Sequence, residues 1–199
     1  MLRRYRDLPY ITVILVIINI IVFAACIFTG ELLYYKGGIY SPAFIQGHEY
    51  GRLIWAMFLH DDTAHLFNNM IILFFLGSML ERETGHIWFT IIYFLSGIGG
   101  NIASLINKIM ENSGSLSIGA SGAVFGLDGL LLAMVAFSEE FRNRIPPVRV
   151  VLMIVLSLYD GFMGSNIDNA AHIGGLIIGF IIGMVFVFTD NIKKRKKSE

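Results

Sequence analysis

Apolar residues run through this chain in long blocks separated by short polar segments. A helix needs about 20 predominantly apolar residues to cross a bilayer. Six blocks reach or approach that length, at Pro9–Thr29, Thr63–Leu80, His86–Ile106, Gly119–Phe137, Val148–Tyr159 and Ala170–Thr189. The fifth is the shortest and gains a little if it starts near Pro147. The pattern predicts an all-α polytopic membrane protein, a six-helix bundle forming a single domain over residues 1–199. The segment between the first two spans, Gly30 to Asp62, is long and only partly polar; it carries Leu32, Leu33, Tyr34, Tyr35, Phe44, Ile45, Trp55 and Phe58. It is expected to lie in the interface or at the bilayer edge, which irregular backbone tolerates only when it packs on protein.

Charge orients the bundle. Six spans leave both termini on one side, and cytoplasmic loops carry the excess of Lys and Arg. Arg3, Arg4, Arg6, Arg82, Arg142, Arg144, Arg149 and the five basic residues from Lys193 to Lys197 fall on the side of the termini; Lys36, Arg52 and Lys108 fall opposite. Both termini are therefore expected in the cytoplasm, with a basic tail from about residue 190. The two basic clusters read as membrane-flanking anchors, not as a nucleic-acid surface. Composition agrees: 55% of the 199 residues are hydrophobic and 15% charged, against about 25% charged in soluble domains. The one cysteine, Cys26, excludes a disulfide framework and a cysteine-based metal site. The basic N-terminus resembles the start of a signal peptide, but the run after it is long enough to span and no small-x-small cleavage site follows, so it reads as a retained helix.

This topology brings polar residues to one depth. Spans two, four and six all enter from the outer side. Their outer ends carry His60, His65 and Asn69, then Ser121, then His172. Ser121 stands in Gly119-Ala120-Ser121-Gly122, a motif that close helix packing alone explains. His172 is followed at +3, +7 and +11 by Gly175, Gly179 and Gly183, all on one helical face. Span four has its own stripe of small residues, Gly122, Gly126, Gly129 and Ala133. Pressed together, such stripes let backbones approach closely and bring Ser121 within reach of His172.

Serine becomes a nucleophile when a base takes its proton, and histidine is the usual base. The alternative is that His172 is a polar contact holding the bundle. His65 and Asn69 are four apart and share a face, so their N–H groups are placed to serve a developing oxyanion with a backbone N–H beside the nucleophile. His60, five before His65, falls on another face if helical and reads as a structural hydrogen-bonder at the loop junction. Three histidines at one depth raise the question of zinc. They lack the spacing of H-E-x-x-H, and Asp61 and Asp62 lie outside the span, so neither metal nor cofactor is expected. Asp168, four before His172, is a candidate third member of a triad; placed in an outer loop where water competes, it yields to the simpler serine–histidine pair.

In order on successive even-numbered spans, His60-x4-His65-x3-Asn69, Gly119-Ala120-Ser121-Gly122 and Ala171-His172-Ile173-Gly174-Gly175 resemble the rhomboid intramembrane serine proteases, over nearly the whole chain. The resemblance implies Ser121 as nucleophile, His172 as general base, and an oxyanion hole from His65, Asn69 and the Ser121 N–H. It implies that Phe125 stacks on the histidine, and it matches Arg52 and Glu81 to the family's first-loop arginine and the glutamate closing span two. Its partners would be the bilayer and single-pass transmembrane proteins cut in segments that unwind easily, since a helix hides its carbonyls. The compact six-span form, with no targeting extension, is expected in a bacterial inner or plasma membrane, and the charge-derived topology has the site opening outward. Two positions depart from the pattern: Gly51 stands where relatives commonly have Trp, and Asp128 stands where they have an apolar residue. A charged carboxylate at Asp128's depth is expensive, so it is expected neutral or hydrated, either tuning a polar pocket or carrying no role. Two other readings compete: an inactive relative that binds client helices, and a small channel or transporter using the polar layer. The first loses its serine or histidine in known pseudoenzymes; the second needs polar residues through the midplane, and apart from Asp128 the deep layers are apolar. The motifs name no particular substrate and set no oligomeric state.

Overall fold

A computed structural model of the chain describes residues 8–163 and 167–195, with side chains for 8–159 and 167–192. Arg3, Arg4, Arg6, Lys196 and Lys197, part of the orienting charge, lie outside the described residues. The elements are α1 (Tyr10–Thr29), α2 (Leu32–Gly37), α3 (Ser41–Ile45), α4 (Arg52–Trp55), α5 (Thr63–Ile72), α6 (Ser78–Thr84), α7 (His86–Met110), α8 (Ser121–Phe137), α9 (Glu139–Arg144), α10 (Pro147–Met163) and α11 (Asn169–Arg195). A 3₁₀ turn, Ala56–Phe58, follows α4, and a π turn, Leu73–Gly77, joins α5 to α6 in one continuous span. Among the described residues the sole β-type pairing is an isolated bridge between Ile39 and Ser117.

Apolar helices occupy all six predicted places. Four are long and apolar enough to cross a membrane, at Tyr10–Thr29, Thr63–Thr84, His86–Met110 and Asn169–Ile192; Ser121–Phe137 and Pro147–Tyr159 are shorter. The second span runs on to Thr84, past the predicted Leu80, because Glu81 on its last turn is buried among hydrogen-bond donors and so continues the packed helix.

The centre of the bundle is α8, buried along nearly its whole length between α7 and α11. A helix that is apolar all round belongs in a core. Glycine sets how near its neighbours come. A Cβ at Gly175 would lie 1.9 Å from the carbonyl oxygen of Gly122, and one at Gly179 would lie 2.0 Å from that of Gly126. At Gly129 a Cβ would meet the Leu176 carbonyl at 2.2 Å. On the other side, Gly100 of α7 would meet the Ala171 carbonyl at 2.6 Å. The two predicted stripes therefore do form one seam, and α7 closes on it where Gly100, Gly122 and Ala171 converge.

Helix lengths set depth. At 1.5 Å per residue, the 17 residues of α8 span about 25 Å, short of a hydrocarbon core of about 30 Å, whereas the 25 residues of α7 exceed it. The start of α8 is recessed below the end of α7, since Gly122 lies against Gly100 while α7 runs on to Met110, about 15 Å further along its axis; the chain from Ser115 to Ala120 descends to it without helical bonding. Its backbone groups find partners elsewhere, as a water-poor setting requires. Ile39 and Ser117 exchange N–H···O bonds of 2.8 and 3.0 Å, and the Gly119 N–H donates to the Ala56 carbonyl at 2.9 Å.

Both partners come from the long first loop, which is packed as its composition foretold. Ala56, Met57, Phe58 and Leu59 are buried, while Leu32, Tyr35, Ile45 and Trp55 remain exposed. Arg52 staples this loop. Its Nη1 donates to the carbonyls of Tyr35 at 2.6 Å and Gly38 at 2.7 Å, and its Nε to Glu49 at 2.7 Å. Asn101 of α7 donates to the Leu53 carbonyl at 2.8 Å, fastening the loop to the core. Gly51 leaves this packing undisturbed: a Cβ there would meet the Trp55 ring at an ordinary 3.7 Å.

Glu81 performs the equivalent task at the opposite end. A helix start leaves N–H groups unpaired, and Pro9 gives α1 no side-chain cap. The fully buried Glu81 carboxylate supplies one from α6, accepting from the N–H of Ile11 at 3.0 Å, the N–H of Thr12 at 2.7 Å and the Thr12 hydroxyl at 2.6 Å. His86 Nδ1 approaches the same carboxylate at 2.6 Å, and its ring stacks on Tyr10.

The seam predicts a stability result. Gly179→Ala forces α8 and α11 apart and is expected to cost about 1–3 kcal/mol or more, lowering the thermal midpoint in detergent. Gly51→Ala, where a methyl fits, is expected to leave that midpoint in place.

Candidate active site

Ser121 is the first residue of α8. Helix starts leave their first N–H groups without intrahelical partners and carry partial positive charge. The turn that delivers the serine there depends on Gly119, whose φ of +128° disfavours any side chain. Space excludes one as well: a Cβ at Gly119 would lie 2.7 Å from His65 Nε2 and 3.7 Å from Ser121 Oγ. The glycine holds open a spot flanked by both groups.

His172, on the first turns of α11, reaches across the seam. Its Nε2 lies 2.9 Å from Ser121 Oγ. Phe125, one turn below the serine, stacks on its ring with centroids 4.2 Å apart and planes 18° from parallel. The seam through Gly122 and Gly175 sets the backbone distance, and the stack sets the ring's tilt. With Nε2 accepting from the serine hydroxyl, the neutral ring carries its proton on Nδ1, which is buried without a hydrogen-bond partner among the described residues.

Asp168 does not meet that Nδ1, and the predicted reason needs correction. Its carboxylate is not lost to water. It turns toward α7 and the descending chain, accepting from the Ser104 hydroxyl and, at 3.0 Å, from the Ala171 N–H. Burial pushes its pKa up, but hydrogen bonds from Ser104, Ser117 and Ala171 and the charge of Lys108 outweigh that and hold it below the usual carboxylate range. Asp168 caps α11 and locks it to α7; the pair remains a pair.

Asp62 caps α5 by accepting the His65 N–H at 2.8 Å, and the helix presents His65 Nε2 to Gly119 and Ser121. Asn69 follows on the same face and is nearly buried. Its Nδ2 donates to the His65 carbonyl at 3.1 Å, which leaves the amide one further N–H. His60 precedes α5 in an extended segment and is fully buried. Its Nε2 accepts from the Ala120 N–H at 3.5 Å, the outer limit of a hydrogen bond, while its carbonyl accepts from the Tyr34 hydroxyl at 2.7 Å. Burial, and next the neighbouring His65, lower its pKa to about 4, so the ring is neutral and able to accept. His60 thus acts as a structural hydrogen-bonder between the first loop and, through a long contact, the residue before the serine.

Sequence reasoning missed Asp61, whose Oδ1 lies 2.6 Å from His65 Nδ1. The i, i+4 spacing was the available signal. Arg52 and Glu81 lie outside this cluster and act on the loop and on α1. Asp128 is buried on α8, about 10 Å beyond Ser121 along the helix axis, and its Oδ1 has no hydrogen-bond partner among the described residues.

The model of the Rhomboid domain matches residues 47–188. The chain is 36% identical over 177 residues to the rhomboid protease GluP of Bacillus subtilis, covering 86% of this chain and 34% of that protein. It is 34% identical over 143 residues to the putative rhomboid protease YdcA of the same organism, covering 72% of this chain and 70% of that protein. With RHOMBOID-like protein 4 of Arabidopsis thaliana it shares 37% identity over 153 residues, 76% of this chain and 38% of the plant protein. The match thus spans well under half of the plant protein and of GluP, and most of YdcA. The chain belongs to the rhomboid family.

Proposed function

We propose that this chain is an intramembrane serine endopeptidase that cuts transmembrane segments of single-pass membrane proteins, with Ser121 as nucleophile and His172 as general base. The observation that carries the proposal is the 2.9 Å approach of His172 Nε2 to Ser121 Oγ, with the imidazole stacked on Phe125. That distance is hydrogen-bond reach for proton abstraction. In the proposed mechanism, Ser121 Oγ attacks the scissile carbonyl as His172 Nε2 takes its proton. The imidazolium then gives that proton to the leaving amine, and water cleaves the acyl-enzyme by the same exchange. The Ser121 N–H, at the positive end of α8, and the N–H groups of His65 and Asn69 receive the oxyanion. For Asn69 this means turning its second N–H inward or releasing the His65 carbonyl.

The recessed start of α8 supports a membrane-embedded bond as the substrate. A helical peptide spends its carbonyls on its own hydrogen bonds, so a segment rich in poor helix formers reaches an extended pose at lower cost. The distribution of Lys and Arg supports cytoplasmic termini and a site that opens to the outer side, in what we take to be a bacterial inner or plasma membrane. An inactive client-binding relative would have no use for a base aligned on a serine.

Detergent-purified protein offered a fluorogenic transmembrane peptide is expected to cleave it, with Ser121→Ala and His172→Ala each reduced about 1,000-fold or more; equal turnover by Ser121→Ala and the wild type would refute the reading. A fluorophosphonate is expected to label the wild type at Ser121 and to fail on His172→Ala. Loss of an oxyanion donor lowers kcat about 100- to 1,000-fold, and a fall of that order, with KM little changed, is expected for His65→Ala and Asn69→Ala. Asp128→Asn is expected to leave cleavage within about twofold across neutral pH; a displaced pH profile would give that carboxyl a part in the chemistry.

A further inference from the structure

The Asp61–His65 pair lies on the solvent side of the oxyanion site, and no role in the proposed hydrolysis has been given to its carboxylate. The geometry points to one: we propose that Asp61 is a positioning residue, which accepts a hydrogen bond from the Nδ1–H of His65 and so holds the ring as an imidazolium with Nε2–H aimed at the oxyanion. The inference rests on the reading of His65 as an oxyanion donor.

Three observations carry it. His65 Nδ1 lies 2.6 Å from Asp61 Oδ1, a charge-assisted distance. The opposite ring nitrogen borders the glycine that separates it from Ser121 Oγ. The backbone is independently fixed by Asp62, which accepts the His65 N–H. The two acids therefore divide the work: one caps the helix, the other orients the ring. Protonation follows from the chemistry of imidazole. A neutral ring has one N–H; if Nδ1 gives it to Asp61, Nε2 presents a lone pair, which repels an oxyanion. Donation from both nitrogens requires the imidazolium. Such a charge is disfavoured at a helix N-terminus, and the Asp61 carboxylate offsets that penalty. The pair's hydrogen bond and charge also hold the Asp61 carboxyl below its ordinary range, although burial alone would raise it. The other titratable groups facing the pair are His60, whose ring centroid is 5.0 Å from that of His65, Asp62, Tyr34 of α2 beside Asp61, and His172 of α11. His60 is neutral and His172 must be neutral to act as base, so neither competes with His65 for the charge that the proposal places on it.

The test uses the full-length protein in detergent and the fluorogenic peptide. Supporting partners of working histidines in metal sites are worth about 10- to 100-fold; by that scale Asp61→Asn is expected to lower kcat about tenfold with KM nearly unchanged. The alkaline limb of its kcat profile should move to lower pH. Asp61→Glu, which keeps the carboxylate, should recover much of the rate. In a His65→Ala background, Asp61→Asn should change nothing further, because coupled residues lose their effects together. Asp61 is exposed, with 60% side-chain accessibility, so these variants keep the fold. Wild-type kcat in Asp61→Asn, a loss confined to KM, or a full tenfold loss persisting in His65→Ala would overturn the proposal. The imidazole ¹⁵N signals of His65 give a readout independent of proteolysis: both nitrogens should be protonated near neutral pH in the wild type, and Asp61→Asn should lose the second proton at lower pH. Identical titrations in the two proteins would reject the role of Asp61 even if cleavage is robust. Conversely, a wild type that cleaves nothing while His65 titrates as described would remove the protease reading and leave the pairing standing.

Discussion

The contact on which the rest depends is backbone against backbone: α11 lies directly on α8, with Gly175 over the Gly122 carbonyl and Gly179 over that of Gly126. A methyl group at either position would sit at about half of van der Waals distance. Glycine is a weak helix former in water, and each one in a helix interior costs about 0.5–1 kcal/mol relative to alanine. In a bilayer, lipid tails are as apolar as leucine, so helix association is driven by close packing instead of by burial of apolar surface. The seam therefore holds the bundle together and sets the reach of the site at once. The Ser121–His172 distance is a consequence of the glycines beneath it.

Around that seam, polar groups are placed where the bilayer would otherwise leave backbone unsatisfied. Three charged side chains act in this way without entering the site. Glu81 completes the start of α1, Arg52 gathers the carbonyls of the first loop, and Asp168 caps α11 while binding α7. Each is multiply hydrogen-bonded, as a buried charge must be. Asp128 is the contrast, with one oxygen buried and unpartnered among the described residues.

The active-site layer has the same economy. Gly119, His60 and Ala56 shape the turn before α8, Asp62 starts α5, and Phe125 tilts the His172 ring. Most of these residues touch no substrate atom. They place two nitrogens and one oxygen around an opening that glycine keeps clear, at the recessed positive end of a short helix. Preorganisation of this kind is what electrostatic catalysis requires.

Much of this was legible in the chain itself. Lengths of apolar blocks located the six helices because a bilayer demands a minimum span. Period-3.6 spacing paired the glycines of span six with His172, and topology put Ser121, His65 and His172 at one depth. Each of these is a local or one-dimensional property. What depended on three dimensions was direction. Asp168 stands four residues before His172, yet its carboxylate faces α7, because Ser104 and Lys108, distant in sequence, offer it stronger partners. Asp61 looked like a loop residue beyond the span until the start of α5 carried it onto His65. His60 acquired its link to Ala120 only when the first loop folded against the descending chain. Hydrogen bonds between elements are decided by the angle and proximity of groups distant in sequence, and no periodicity within one element encodes them; only the Asp61–His65 contact carried a local signal, its i, i+4 spacing.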